Sequence, residues 1–179
     1  MKKESTSATI RLAEQSDAQA IAEMSRDFIE SGLGWRYDPT SIQRALRRRE
    51  TTVLVASERP TYVARERPAL SGFAIMDYGD ERAHLVLLAV RPVCQRRGIA
   101  RRLVQWLLQS AAAAGIASIH VELRAQNQAA YGLYRTLGFG ETLRLPGYYR
   151  GRETAVRMMR VLRVNDPALP PWRPPKRWA

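Results

Sequence analysis

Leu85-Val86-Leu87-Leu88-Ala89-Val90-Arg91-Pro92-Val93-Cys94-Gln95-Arg96-Arg97-Gly98-Ile99-Ala100-Arg101-Arg102-Leu103 is the stretch on which the fold turns. The apolar run Leu85 to Val90 is too short to cross a membrane and is stopped by Arg91-Pro92, so it reads as a buried strand. Beyond Pro92 the apolar residues recur at helical spacing, at Ile99, Leu103, Trp106 and Leu107. A buried strand therefore feeds a basic turn carrying a glycine, and that turn becomes the first turn of a helix.

Such a turn has a chemical use. The first amides of a helix lack internal partners and lie at the positive end of its dipole, which suits them to phosphate. Gly98 and Ala100 bring little or no side chain, leaving the backbone open to a pyrophosphate, and Arg96, Arg97, Arg101 and Arg102 surround it with charge. The same residues equally suit a structural strand-turn-helix with a solvated basic corner, because short glycine motifs recur by chance.

Gln95-x-x-Gly98-x-Ala100 resembles the Q/R-x-x-G-x-G/A signature of the GCN5-related N-acetyltransferases (GNAT), in which this turn grips the pyrophosphate of acetyl-coenzyme A. The resemblance implies cofactor contacts from Gln95, Arg96, Arg97, Gly98, Ile99, Ala100 and Arg101. It further implies that the backbone of Leu88, Ala89 and Val90 pairs with the pantetheine arm, the Val90 amide facing the thioester oxygen.

The bulk numbers agree with a soluble globular protein and narrow little else. A chain of 179 residues suits one domain with a sizeable core, and 45% hydrophobic with 26% charged residues is ordinary. No apolar run reaches membrane length, and Lys2-Lys3 is followed by Glu-Ser-Thr-Ser, unlike a secretory signal; a cytoplasmic location without membrane attachment is expected. Cys94, the single cysteine, rules out an internal disulfide and a cysteine-based metal cluster. His84 and His120 are too few and scattered for a metal site, so no metal is expected. The net charge of +12, almost all arginine, favours polyanions: nucleic acid, the ribosome, anionic lipid or a phosphate-rich cofactor.

Read in order, Ala8 to Leu12 is a short strand. Ser16-Asp17-Ala18-Gln19 is a capping box opening a helix with Ile21, Met24 and Phe28 on its apolar stripe. Asp38-Pro39 opens a second helix through Ile42 and Leu46. Thr51 to Ala56 is a strand, Glu58 to Pro68 a hairpin loop, and Leu70 to Asp77 a strand that Gly79-Asp80 turns into the central one. The central helix stops at Gly115. Ile119, Val121 and Leu123 alternate with His120, Glu122 and Arg124 as a half-buried strand, with Glu122 on the polar face. Asn127 starts a helix carrying Ala130, Leu133, Tyr134 and Leu137, closed by Gly138. Strands near Phe139 to Arg144 and Thr154 to Leu162 complete the order β-α-α-β-β-β-α-β-α-β-β, an α/β layout. From position 165 to 179 proline and tryptophan dominate, giving a domain at 1–164 and a basic C-terminal arm at 165–179. The resemblance implies a GNAT-type mixed, mostly antiparallel sheet of about six or seven strands, splayed around its central strands and flanked by about four helices.

The second half extends the resemblance. Glu122-Leu123-Arg124, Asn127, Leu133-Tyr134, Gly138-Phe139, Tyr148-Tyr149 and Glu153-Thr154-Ala155-x-x-Met158 are similar to the pattern of the branch that acetylates ribosomal-protein N-terminal alanines. By that resemblance Glu122 is the base that takes a proton from the amine, and Tyr134 is the acid whose phenol protonates the departing thiolate. Asn127 contacts the cofactor. Read from residue type alone, Glu122 is equally a strand carboxylate paired with Arg124 or another arginine. Likewise Tyr134 is a packed helix aromatic, and Asn127 a helix N-cap. Tyr148 and Tyr149 either line the substrate mouth or simply pack at a turn. Three departures bear on the acceptor: Ala100 replaces the commoner glycine, Thr154 replaces Asp, and Gly34-Trp35-Arg36-Tyr37 lacks the branch's Pro-Trp-Ser.

The expected function is transfer of acetyl from acetyl-coenzyme A, as cosubstrate, to a primary amine by direct attack in a ternary complex. The acceptor is a protein N-terminus or lysine, with a small-molecule amine such as an aminoglycoside or polyamine as the alternative. A basic RNA- or ribosome-binding module on the same fold is the non-enzymatic alternative, and a homodimer is compatible with either.

Overall fold

The computed structural model describes residues 8–58 and 69–162. The expected loop after Glu58 and the arm at 165–179 lie outside the described residues. The elements follow the expected order. They are β1 (Thr9–Leu12), α1 (Ala18–Phe28), α2 (Pro39–Arg47), β2 (Thr51–Ser57), β3 (Leu70–Tyr78) and β4 (Arg82–Val90). Then come α3 (Ile99–Ala113), β5 (Ser118–Arg124), α4 (Gln128–Thr136), β6 (Gly140–Tyr149) and β7 (Glu153–Val161). Single 3-10 turns sit at Gln15–Asp17 and Pro92–Cys94. The strands form one mixed sheet in the order β1-β2-β3-β4-β5-β7-β6. Pairs β1–β2, β2–β3, β5–β7 and β6–β7 are antiparallel, whereas β4–β5 is parallel because α3 carries the chain back between them. Two compact units share these elements: residues up to Asp77 with Val86–Leu107, and Tyr78–Leu85 with the residues from Leu108 on.

In the first unit the apolar residues spaced at three and four in α1 and α2 meet the inward faces of three strands. Ile21, Ala22, Met24 and Ile42 cluster with Val53, Val55, Phe73, Ile75, Leu87 and Ala89. Each large side chain so buried contributes roughly 1.5–3 kcal/mol. Two expectations need correcting here. Phe28 is 40% exposed, because it is the last residue of α1 and leaves the buried stripe at Met24. The entry turn is built on Glu14 and Asp17, not on Ser16. Asp17 Oδ2 accepts from the Glu14 amide at 2.7 Å, and Arg11 holds both Asp17 oxygens at 2.7 and 2.9 Å. Asp38 caps α2 as expected, accepting from the Ser41 amide at 2.7 Å with Pro39 in the first turn.

The second unit centres on β5. Ile119, Val121 and Leu123 are buried, as are Tyr134, Leu137, Phe139, Ala155, Val156 and Met158. The polar face of β5 is not solvated, contrary to the half-buried strand expected: Ser118 and His120 are buried too. They can be, because Ser118 Oγ and His120 Nε2 lie 3.1 Å apart and satisfy each other. The strand β6 runs past Arg144 to Tyr149, so Tyr148 and Tyr149 sit at a strand end. It tolerates Pro146 as an outer strand with register shifts between Leu145 and Tyr149. Among the described residues no helix is long and apolar enough to cross a membrane.

Gly72 in β3 is the tightest point. A Cβ there would stand 3.0 Å from the Ala89 carbonyl oxygen, 3.1 Å from Val90 Cγ2 and 3.3 Å from Ile99 Cγ2. Glycine thus lets β3 press against the end of β4 and the start of α3. Gly72→Ala is expected to lower unfolding stability by about 1–3 kcal/mol in urea titration, since the nearest obstacle is backbone.

Candidate active site

The first unit holds the phosphate-type turn. The backbone amides of Arg96, Arg97, Gly98, Ile99 and Ala100 donate to no carbonyl among the described residues; the first to do so is Arg102, to the Gly98 carbonyl at 3.0 Å. Arg96 and Gly98 take the left-handed backbone conformation, at φ 62° and 79°. A Cβ on Gly98 would meet nothing within 4 Å, so the backbone there is open to whatever approaches it. Gln95 is turned the other way. Its Nε2 donates to the Val90 carbonyl at 3.1 Å, tying the end of β4 to the turn, so its side chain positions the cradle. Arg91 anchors the same corner, donating from its amide to Ser71 O at 2.9 Å and from Nε to Leu70 O at 2.7 Å. Arg97 meets Glu58 at 3.0 Å, and Arg102 donates to the Ala8 carbonyl at 2.7 Å. Cys94, partly exposed, lies in the 3-10 turn before the cradle.

These features fit a pyrophosphate. Open amides, a bare glycine and cationic guanidinium groups are what such an anion needs, and no acidic side chain of the turn opposes it.

The second unit holds the other predicted residues. Glu122 lies on β5 with 5% of its side chain exposed. It is not paired with Arg124. Its Oε2 is 2.6 Å from His84 Nε2 on β4, and its Oε1 accepts from Arg157 Nε on β7 at 2.8 Å. Strand register explains the choice. Glu122 stands opposite Arg157, and His84 stands opposite His120, next but one along β5. Arg124 instead grips Glu153 at 2.8 and 3.1 Å and lies 5.5 Å over the Tyr149 ring. Burial alone would raise the Glu122 carboxyl; the hydrogen bonds and charges of His84 and Arg157 outweigh it and hold the group below the usual carboxylate range. Glu122 is therefore an anion at neutral pH, with lone pairs still able to accept.

Tyr134 is buried on α4, edge-on to Phe139 with ring centroids 5.4 Å apart. Burial, with Tyr149 behind it, pushes its phenol well above the ordinary value, so it stays protonated. Burial likewise raises Tyr149, whose ring meets Tyr148 edge-on at 5.1 Å. Asn127 is an N-cap, its Oδ1 accepting from the Ala130 amide at 3.0 Å. Its side-chain amide nitrogen and the second lone pair of Oδ1 are left for another contact.

His84 and Arg157 are the residues that sequence reasoning missed. Neither falls in a motif, and the signal that joins them to Glu122 is strand register, which residue spacing does not reveal.

A model described as "Acetyltransferase (GNAT) family" matches residues 21–139. The [ribosomal protein bS18]-alanine N-acetyltransferase of Escherichia coli (strain K12) is 38% identical over 92 residues, half of this chain and 62% of that protein. The Haemophilus ducreyi enzyme of the same name is 34% identical over 97 residues, covering 67% of that protein. The crystal structure of the Escherichia coli ribosomal-protein-S18-alanine N-acetyltransferase superposes with TM-score 0.73 and 25% identity, covering 90% of this chain and 98% of that one. In fold alone, the chain is also similar to Arabidopsis thaliana NAA60 in complex with acetyl-CoA, with TM-score 0.73, 19% identity, and 86% and 98% of the two chains covered.

Two predictions follow from the electrostatics. Burial, with Arg82 adding to it, pulls the His120 imidazole down to about 4, against about 6.5 when unfolded. Between those values the unfolded chain binds the extra proton, so stability is full above about pH 6.5 and falls as pH drops toward 4. Thermal melts across that range should show the loss, and His120→Asn should flatten it. Arg157→Met, which leaves the Glu122 carboxylate with only His84, should cost about 3–5 kcal/mol in urea titration.

Proposed function

We propose, because this chain belongs to the acetyltransferase (GNAT) family, that it transfers an acetyl group from acetyl-coenzyme A to a primary amine, the α-amine of a protein N-terminus. The observation that carries the cofactor is the run of open amides at Arg96 to Ala100, with bare Gly98 at its middle. The acceptor class rests on the relatives, which are named [ribosomal protein bS18]-alanine N-acetyltransferase; the chain spans 62% of the length of the Escherichia coli (strain K12) one, matched at 38% identity.

The amides of Arg96 to Ala100 hold the pyrophosphate, Gly98 lets it close on the backbone, and the flanking guanidinium groups neutralise it. Gln95 fixes the turn to Val90. Bound there, acetyl-coenzyme A supplies an acetyl group already activated as a thioester. What remains for the chain is proton traffic. An α-amine titrates near 8, so part of it is neutral at physiological pH, and the rest must lose a proton to attack. Glu122 is the anion on the proton-accepting side.

Tyr134 is the proton donor to sulfur. In water a thiol titrates near 8.5, so a phenol held above 10 would give up its proton unwillingly. The burial that raises the phenol would raise a thiol beside it as well, which brings the two acids back toward parity.

Purified protein should acetylate the N-terminus of an alanine-first peptide, read by mass spectrometry, in preference to an internal lysine, a polyamine or an aminoglycoside. Transfer to none of these would remove the acetyltransferase reading; transfer to the small amines alone would remove the acceptor class. Tyr134→Phe should lower kcat by roughly 10²-fold or more with KM for acetyl-coenzyme A nearly unchanged. An unaltered kcat would take Tyr134 out of the reaction.

A further inference from the structure

The charge of the first unit is unevenly answered. Asp17 is taken by Arg11, Asp27 by Arg26, Glu58 by Arg97, and Glu30 by the Arg36 and Tyr37 amides. Three exposed arginines at the end of α2 have no such answer. Arg47 and Arg49 meet no carboxylate within ion-pair range among the described residues, Arg48 between them having taken Glu50 at 2.8 Å. Arg44 donates from Nη2 to the neutral Ser41 hydroxyl at 3.2 Å. Its charge is the least of the influences on Asp38, a carboxyl that the Ser41 amide holds first.

The fold fixes this arrangement. Ile42 is fully buried and Ala45 and Leu46 pack on the same core, so Thr40, Gln43, Arg44 and Arg47 face outward. Arg44 and Arg47 are three positions apart and stand one above the other on that face. Beyond the helix the Thr51 amide donates to the Arg48 carbonyl at 3.3 Å, closing a turn that carries Arg49. The helix dipole favours a cation in the last turn, but a second and a third repel the first. Nor do these arginines belong to the phosphate turn. They precede β2, whereas Glu58, which holds Arg97, follows it, and seven residues of strand put about 20 Å between the two ends.

We propose that Arg44, Arg47 and Arg49 form a docking surface for the phosphate backbone of structured RNA, separate from the turn that holds the cofactor. Guanidinium pairs with phosphate in a forked geometry that ammonium does not match, and the described residues carry arginine but no lysine. The outward face of α2 has no aromatic side chain on which a base could stack, so the surface reads backbone and not sequence. It has no apolar side to sink into lipid, because Ile42, Ala45 and Leu46 are already in the core. The choice of RNA rests on the acceptor class proposed above, which is argued from enzymes named for a ribosomal protein, and such a protein is held on RNA. Docking on that RNA raises the local concentration of the N-terminus to be acetylated.

Fluorescence anisotropy of a labelled RNA duplex of about 20 base pairs, titrated with the full chain between about 50 and 200 mM KCl, tests this. Wild type should bind with an affinity that falls steeply with salt. Arg44→Gln, Arg47→Gln and Arg49→Gln together should weaken binding at least tenfold and make the log–log salt slope shallower by roughly two to three. Arg135→Gln, Arg150→Gln and Arg152→Gln together remove the same charge from exposed positions of the second unit, and should change both quantities little. The α2 triple variant should melt close to wild type, bind coenzyme A equally by calorimetry and acetylate a free peptide at the wild-type rate. Equal losses from the two triple variants would mean diffuse attraction by net charge and overturn the proposal. So would no binding by wild type at high micromolar protein in the lowest salt, stronger binding to a DNA duplex of the same sequence, or capture by phosphatidylserine vesicles in place of RNA. A wild-type protein that binds RNA through these arginines but acetylates no amine fails the acetyltransferase reading and leaves the docking surface standing.

Discussion

A helix begins with amides that it cannot itself satisfy, and in this chain those amides are left open at a bend between a buried strand and a long helix. The rest of the first unit serves to hold that bend. Gly72 lets β3 close against Ala89 and Ile99, Arg91 ties the strand end to Leu70 and Ser71, and Gln95 reaches back to Val90. Arg96 and Gly98 take the left-handed backbone conformation within that bend. A run of open amide donors favours an anion with several oxygens over a neutral ligand, and guanidinium groups around it add reach without adding specificity.

The second unit solves a different problem, that of keeping charge inside. A buried carboxylate costs several kcal/mol unless it is answered at close range, and Glu122 is answered from both neighbouring strands. That clamp ties β4, β5 and β7 together through side chains as well as through backbone. It also keeps Glu122 an anion, while burial holds His120 neutral and Tyr134 and Tyr149 as protonated phenols. An acid and a base that coexist at one pH are what transfer of an acyl group to an amine demands.

The order of elements was legible because each carries a local signature: the alternation of β5, the Asp38-Pro39 cap, the Asn127 cap, and the glycine turn before α3. Tyr134 and Glu122 could be singled out by their motif. Their partners could not. The residue paired with Glu122 lies 35 positions away on β7 and the other 38 positions away on β4, while Arg124, two residues along, goes to Glu153. Residue spacing gives the face of a strand but not its neighbour, and a one-residue change of register would have exchanged every one of these contacts. The same limit explains why the polar face of β5 read as solvated, since its burial depends on partners supplied from other strands.

The account stands on the open amides at Arg96 to Ala100 receiving the phosphates of coenzyme A. Calorimetric titration of the wild-type protein and of Gly98→Val with coenzyme A tests that most directly, with thermal melts to show both folded. Saturable binding in the micromolar range, weakened at least tenfold by a side chain projecting from residue 98, is the predicted result. No binding by wild type at high micromolar coenzyme A, or equal binding by the two proteins, would contradict it.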